Sequence, residues 1–209
     1  MQMIRSKGID VSHWQGTIDF NKVKSAGIDF VIIKAGGSDK GFYKDKKFES
    51  YYKGAVDAGL NVGAYYFVGK NCTSKKDGEA DAKRFMKIIK DKQFSFPVVL
   101  DYEAPNASDP KGNTAAAIGF CDTLESNKYY VSIYASDISG FKDRLQIDKL
   151  DKYDKWVARY SKEPTYVKNY GLWQYSSHGK LDGITGYVDL DVSYKNYPDI
   201  IKRNKLNGY

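Results

Sequence analysis

Short apolar segments rich in β-branched and aromatic residues recur along the whole chain, and helical patterns separate the first five of them. Such segments predict strands, and strands that alternate with helices form parallel sheets through right-handed crossovers. The eight predicted strands are residues 7–12, 29–35, 61–67, 97–103, 129–135, 154–160, 170–176 and 187–193. The predicted helices are residues 19–27, 47–59, 75–91, 113–127 and, with a weaker pattern, 138–146.

The first two helical patterns end on Ala-Gly directly before a strand, where glycine supplies a left-handed helix cap. After residue 150 the gaps shorten to about ten residues, too few for a crossover helix, so loops or hairpins are expected there. We therefore predict an α/β fold, a TIM-like barrel of eight strands and about five helices, (β/α)5(β)3. No linker or low-complexity segment divides the chain, and residues 1–209 are predicted to form a single domain.

The net charge of +7 favours acidic partners such as nucleic acids, anionic cell walls or anionic membranes. The lysines are scattered over amphipathic segments rather than gathered in a basic run, so we expect no nucleic-acid partner.

No apolar run reaches the ~20 residues of a membrane span, so no membrane insertion is expected. The first residues lack the apolar core of a signal peptide. The protein is thus expected either to leave the cytosol by another route or to be a shortened chain.

The two cysteines, Cys72 and Cys121, lie far apart in the sequence. They form neither a disulfide framework nor a CxxC metal motif. Two unpaired thiols are the default expectation, and a single bridge between them stays open.

The sequence FPVVLDYE ends an apolar strand on two carboxyl groups, Asp101 and Glu103. Residues two apart in a strand share a face, so both acids should point the same way. In βα barrels the active site lies at the carboxyl ends of the strands. Polar and aromatic residues occupy that end of every predicted strand: Asp10, Lys34, Tyr65, Tyr66, Asp101, Glu103, Tyr134, Trp156, Arg159, Trp173, Gln174, Tyr175, Asp189 and Asp191.

Several chemistries are disfavoured at such a rim. Neither His13 nor His178 lies in a nucleophile elbow, the glycines of residues 34–41 match no phosphate-binding loop, and the acids lack the spacing of a strong metal motif. We expect no metal and no cofactor. Paired carboxyl groups between aromatic walls fit glycoside hydrolysis best. A like charge raises the pKa of a carboxyl group, so crowding of Asp101 and Glu103 is expected to keep one proton available.

The chain resembles the glycoside hydrolase family 25 lysozymes. The motifs that carry the resemblance are, in the family's order, GIDVSHWQGTIDF, GIDFVIIKA, AGLNVGAYYF, FPVVLDYE, WVARY, LWQYSS and GYVDLDVSY, which together cover residues 8 to 195 or so. The resemblance implies an eight-stranded barrel with five helices. It also implies cleavage of the β-1,4 bond between N-acetylmuramic acid and N-acetylglucosamine in peptidoglycan, outside the cell and by a monomer.

By this resemblance Glu103 matches the family's general acid and Asp101 the other acid of its Asp-x-Glu motif. Two further cleft acids match Asp10 and Asp189. The residues expected to bind substrate are Lys34, Tyr65, Tyr66, Tyr134, Trp156 and Gln174. The chain departs from the family's pattern in three places: KATEG is KAGGS, the histidine of YHF is Tyr66, and the asparagine of VDLN is Asp191.

Other functions stay open at the level of sequence. A chitinase-like glycosidase acting on other N-acetylated glycans would also place spaced acids at the end of the fourth strand. A non-catalytic wall-binding barrel would keep the fold without the reaction, and the retained acids argue against it. If Asp101 and Glu103 were purely structural, they would pair with Lys34 or Arg159.

Overall fold

The computed structural model describes residue 3 and residues 5–160 and 162–209 of the chain. Its strands are β1 (Ser6–Val11), β2 (Phe30–Gly37), β3 (Tyr43–Lys44), β4 (Asn61–Phe67), β5 (Val98–Asp101), β6 (Val131–Ser136), β7 (Asp154–Ala158), β8 (Leu172–Gly179) and β9 (Val188–Ser193). Its α-helices are α1 (Phe20–Ser25), α2 (Phe48–Asp57), α3 (Lys75–Ile89), α4 (Pro110–Ser126) and α5 (Tyr197–Arg203). Within these residues, no helix is long and apolar enough to cross a membrane.

The strands form a closed barrel in the order β1-β9-β8-β7-β6-β5-β4-β2, and β2 pairs with β1 again. Strands β1, β2 and β4 to β8 run parallel to one another around the barrel. Strand β9 is antiparallel to both β1 and β8. The beginning of β9 therefore lies at the rim where the other seven strands end.

Local sequence signals explain where the helices begin and end. Ser74 and Asp77 form a capping box at the start of α3, which satisfies two backbone N–H groups that a helix start leaves free. Asp109 caps α4 in front of Pro110, a residue well suited to the first helical turn. Gly27 and Gly59 follow α1 and α2 with φ of 86° and 72°, which confirms the glycine caps expected from the Ala-Gly pattern.

Two apolar layers hold the barrel. The outer layer packs α1 to α4 against the outward faces of the strands. The inner layer fills the barrel itself and is closed at the bottom by α5. There Tyr197 packs on Phe96 with ring centroids 5.1 Å apart, and Phe96 stacks on Phe30 at 4.2 Å. The Tyr197 hydroxyl also donates to Asp154 Oδ2 at 2.7 Å, so α5 is fixed to the barrel by both packing and a hydrogen bond.

The eight-stranded barrel prediction is confirmed, and each predicted strand overlaps an observed one. Three details differ. The pattern at residues 138–146 forms a π-helical turn, Asp137–Lys142, instead of an α-helix. The two-residue strand β3 and the terminal helix α5 were not predicted. Strand β5 ends at Asp101, so Glu103 lies just beyond it.

Asn207, near the chain end, ties the base of β5 to the base of β6. Its Nδ2 donates to the Phe96 carbonyl at 2.9 Å, and its Oδ1 accepts from the Tyr130 N–H at 2.7 Å. Asn207 is fully buried, so Asn207→Ala would leave both backbone groups without a partner. We expect a loss of about 2–4 kcal/mol in the free energy of unfolding, measured by urea titration. The exposed Asn204→Ala variant serves as control and should lose less than about 1 kcal/mol; equal losses would contradict this explanation.

Candidate active site

The acids predicted at the rim come together because of the strand order. Asp10 on β1 lies opposite Asp189 on β9, and Gln174 on β8 lies opposite Asp191. On the other side of the barrel, Asp101 on β5 lies opposite Tyr134 on β6. Asp189 reaches the rim because β9 begins there, whereas the sequence pattern had placed it at the carboxyl end of the last strand.

These residues surround one cavity of about 210 Å³. Acids and aromatic or amide side chains form its walls: Asp10, Tyr65, Asp101, Glu103, Tyr134, Trp156, Tyr160, Gln174 and Asp189. All four acids predicted as catalytic are therefore in one cleft, together with four of the six residues predicted to bind substrate.

A set of hydrogen bonds fixes the cleft floor. The Tyr134 hydroxyl donates to Gln174 Oε1 at 2.9 Å, and Gln174 Nε2 donates to Asp10 Oδ2 at 2.7 Å. Trp156 Nε1 donates to Asp191 Oδ1 at 2.8 Å. Each of these side chains is nearly or fully buried. Since buried polar groups need defined partners, these bonds hold the floor in a single arrangement.

Asp101 and Glu103 both face the cleft, as strand alternation predicts, while Tyr102 points away. The Tyr102 hydroxyl donates to the Cys72 carbonyl at 2.6 Å in the outer layer. Asp101 is buried, and its Oδ1 has no hydrogen-bond partner among the described residues. Glu103 lies at the rim with an exposed side chain, although the surrounding protein removes part of the solvent from its carboxyl group. One carboxyl group is thus accessible at the rim, and the other is enclosed below it.

Burial raises the pKa of every acid in the cleft. It is the largest cause for Asp10, Asp101, Glu103 and Asp189. The charge of Glu103 raises the pKa of Asp101 further, and the charge of Asp189 does the same for Glu103. Buried acids near one another favour the neutral, protonated form, which is the form a proton donor needs.

Repulsion between Asp101 and Glu103, the cause expected for one retained proton, raises the pKa of Asp101 in addition to burial. For Glu103 the main cause is burial, and the carboxylate that raises its pKa further is Asp189. Lys34 and Arg144 act in the opposite direction and lower the pKa of Glu103.

Lys34 lies beside the cleft rather than in its wall. Its Nζ is 4.4 Å from the centre of the Phe67 ring and 5.8 Å from that of Tyr65. Its charge lowers the pKa of both Asp101 and Glu103. Arg159, the other cation considered for these acids, binds Asp137 at 2.8 Å instead.

Tyr66 was predicted to bind substrate, and its position contradicts this. Successive strand residues face opposite sides, so Tyr65 faces the cleft and Tyr66 faces the helices. Its side chain is fully buried against Phe85 and Phe120. Its hydroxyl points to Asp81 at 3.4 Å, and a substrate in the cleft cannot reach it.

A second cavity, of about 230 Å³, lies beside Asp81 on the outer side of the barrel. Asp81 Oδ2 accepts from the Ser38 hydroxyl at 2.7 Å, and its Oδ1 from Arg84 at 2.9 Å. Both oxygens are therefore engaged, and the bond from Ser38 joins α3 to the loop after β2. This cavity lacks the unpaired acids that make the cleft reactive.

Two cleft residues were missed or left without a role at the level of sequence. Tyr160 lines the cavity, and its hydroxyl donates to Gln174 Oε1 at 3.1 Å. It lies two residues past the end of β7, at the end of the motif WVARY. Asp191 lies at the floor and is fully buried.

In the described part of the chain, no three His, Cys, Asp or Glu side chains are arranged to hold a metal ion. Both cysteines are buried free thiols.

Comparison with known proteins agrees with this geometry. The family model for glycosyl hydrolases family 25 matches residues 9–184. The chain belongs to glycosyl hydrolase family 25. It is 31% identical over 186 residues to the autolytic lysozyme of Clostridium acetobutylicum, a match that covers 88% of this chain and 55% of that protein. It is 30% identical to lysozyme M1 of Streptomyces globisporus, over 97% of this chain and 68% of the relative.

Solved structures of the family share the fold. A family 25 glycosyl hydrolase from Bacillus anthracis superimposes with a TM-score of 0.80 at 25% identity, over 97% of this chain and 94% of that one. The family 25 chain described here thus spans nearly all of that structure but only about half the length of the clostridial relative.

The raised pKa of Asp101 makes a prediction about stability. An aspartate in the unfolded chain has a pKa near about 3.9. Because the folded value is higher, the folded protein keeps a proton that the unfolded chain releases, and its stability falls as the pH rises above about 4. Asp101→Asn removes this effect. The difference between the Tm of the variant and the Tm of the wild type should therefore shift in favour of the variant between about pH 4 and pH 7.

Asp182→Asn, in an exposed turn, is the matched control for this measurement. Its Tm difference from the wild type should stay constant over the same pH range. A constant difference for Asp101→Asn as well would mean that Asp101 is ionised in the folded protein.

Proposed function

We propose that this family 25 protein is a lysozyme, an N-acetylmuramidase that hydrolyses the β-1,4 bond between N-acetylmuramic acid and N-acetylglucosamine in bacterial peptidoglycan. Residues 1–209 act as a single catalytic domain and as a monomer. The site of action is the cell wall, outside the cell, and neither nucleic acid nor a membrane is a partner.

The observation that carries this proposal is the pairing of an accessible acid with a buried one in the same cleft. Glu103 opens to solvent and has a raised pKa, so it holds a proton where a glycosidic oxygen can approach. Asp101 lies beneath it with an unpaired oxygen. Glycoside hydrolysis requires one carboxyl group to give a proton and another to support the developing positive charge.

In this mechanism Glu103 protonates the leaving oxygen. Asp101 acts in its ionised form, which the positive charge of Lys34 favours. In that form it either attacks the anomeric carbon or orients the substrate's own N-acetyl group for that attack. Asp10 and Asp189 maintain the charge pattern around the sugar. Water, deprotonated by Glu103 acting now as a base, then attacks the same carbon and releases Asp101 or the N-acetyl oxygen. In either role the product would keep its anomeric configuration, which NMR of the fresh product detects.

Aromatic and amide side chains supply the remaining contacts to the glycan. Tyr65 and Tyr160 line the cavity with ring surface on which a sugar can pack, and Tyr134, Trp156 and Gln174 form the floor beneath it. Lys34 stands at the edge of the cleft, and its charge complements an acidic substituent such as the lactyl carboxylate of muramic acid.

The names of the relatives support the same assignment. Two relatives, one from a clostridium and one from a streptomycete, are called lysozymes, and the clostridial one is described as autolytic. Their similarity extends over at least 88% of this chain. A role in wall turnover or lysis follows for this chain by that similarity.

Mass analysis of digested peptidoglycan tests the proposal. Fragments should carry N-acetylmuramic acid at the new reducing end, and chitin oligomers should stay intact. Cleavage of chitin oligomers at a comparable rate would favour the chitinase-like alternative. Binding to walls with no new reducing ends would favour the wall-binding alternative.

Glu103→Gln should lower kcat for wall hydrolysis by about 10²- to 10⁴-fold, since glutamine keeps the shape of the side chain but has no acidic proton. Release of reducing ends from purified peptidoglycan measures this. Glu125→Gln, on the exposed surface of α4, is the control and should keep wild-type activity. A Glu103→Gln protein that clears walls at the normal rate would refute the assignment of the acid.

Lys34→Met should shift the pH profile. The Lys34 ammonium lowers the pKa of Glu103, so its removal raises that pKa and keeps the acid protonated to higher pH. The alkaline limb of the pH profile of kcat should therefore move to higher pH. Lys24→Met, on the exposed face of α1, should leave the limb in place. A shift of the alkaline limb to lower pH in Lys34→Met would contradict the assignment of Glu103 as the group that must be protonated.

A further inference from the structure

Two carboxyl groups from neighbouring strands meet at the floor of the cleft. Asp10 on β1 is 7% exposed and Asp191 on β9 is fully buried. In the antiparallel pair, Asp10 lies opposite Asp189 while Gly8 lies opposite Asp191. Residues 8 and 10 share a face, so Asp10 and Asp191 are diagonal neighbours on the inner side. Gly8 has no side chain to separate them.

If both groups of this pair were ionised, one of their buried oxygens would have no hydrogen-bond donor. Asp10 Oδ2 accepts from Gln174, and Asp191 Oδ1 accepts from Trp156. Asp191 Oδ2 is buried without any donor among the described residues, and the carboxyl group of Asp10 lies diagonally across the strand pair from Asp191. An ionised carboxylate only accepts hydrogen bonds, so two of them bond to each other only through a proton.

The surroundings of the pair also disfavour two negative charges. Asp189 on β9 adds a third acid beside them. Tyr65, Tyr134 and Tyr160, from β4, β6 and the segment after β7, line the same cleft as Asp10. The charge of Asp10 raises the pKa of these three phenols, and that of Asp191 raises the pKa of Tyr175 on β8. Lys34 acts on the acids of the β5 end, Asp101 and Glu103. Like charges at buried sites raise one pKa of a pair strongly.

We propose that Asp10 and Asp191 hold a single proton between them, and that Asp191 is a positioning residue that fixes the carboxyl group of Asp10 through this proton. The floor of the cleft then carries one negative charge instead of two. The pair releases its protons in two steps that belong to both residues together. The consequence for catalysis rests on the proposed function: Asp10 presents a fixed oxygen to the sugar while Glu103 supplies the reactive proton.

Carbon-13 NMR of protein labelled at the aspartate carboxyl groups tests the shared proton without any assay of activity. We expect one carboxyl group of the pair to stay protonated well above the ordinary aspartate range near about 4. The signals are assigned by their loss in Asp10→Asn and Asp191→Asn. In each of these variants the remaining partner should titrate at lower pH than the pair, since it accepts a hydrogen bond from the new amide.

Asp101→Asn provides the second variant, because Asp101 is the other fully enclosed acid with a raised pKa. The protonated signal of the pair should persist in this protein, whether or not the variants at the pair fold. If Asp10 and Asp191 both titrate independently in the ordinary aspartate range, the proposal is wrong. Loss of the signal in Asp101→Asn alone would also overturn it, because the proton would then belong to Asp101.

Kinetics of Asp191→Asn and Asp191→Ala test the positioning role. Asparagine can donate to Asp10 in place of the shared proton, whereas alanine offers no partner. The value of kcat/KM on peptidoglycan fragments should therefore be at least about tenfold higher for Asp191→Asn than for Asp191→Ala. Equal values would refute the positioning role. If the wild type does not cleave peptidoglycan, the proposed function fails while the NMR titration still decides the shared proton.

Discussion

The closure of the barrel by an antiparallel last strand is the constraint on which the site depends. Strand β9 fits between β1 and β8 and runs against both. This direction brings the beginning of β9 to the rim, with Asp189 directly opposite Asp10. A parallel last strand would have presented its other end there. The barrel therefore collects acids that are remote in sequence, and its closed wall removes them from water.

Removal from water explains both the chemistry and its cost in stability. A carboxyl group in a buried site favours its protonated form, and near neutral pH that preference opposes folding. The inner apolar layer and the plug formed by α5 stabilise the fold around this floor of buried acids. Perturbed acids that are retained in a cleft are typical of functional sites. The cleft combines an accessible acid, Glu103, with a floor whose charge is limited by proton sharing.

Much of the fold and most of the site could be predicted from local rules. Period-two alternation placed Asp101 and Glu103 on one face, and glycine caps marked the ends of the first helices. The same alternation separates Tyr65 from Tyr66, so the error at Tyr66 arose from reading a family motif as a single unit. Helix α5 was missed because its seven residues are too short to give a clear period. The cause of each pKa shift depends on contacts across strands, which no local pattern contains.

The most direct test of the proposed catalytic arrangement is a crystal structure of the Glu103→Gln protein with a bound peptidoglycan fragment. We predict a glycosidic oxygen within hydrogen-bond distance, roughly 3 Å, of the amide that replaces the Glu103 carboxyl group. The N-acetyl group of the same sugar should lie against Asp101. A fragment bound outside the cleft, for example in the cavity beside Asp81, would contradict this arrangement.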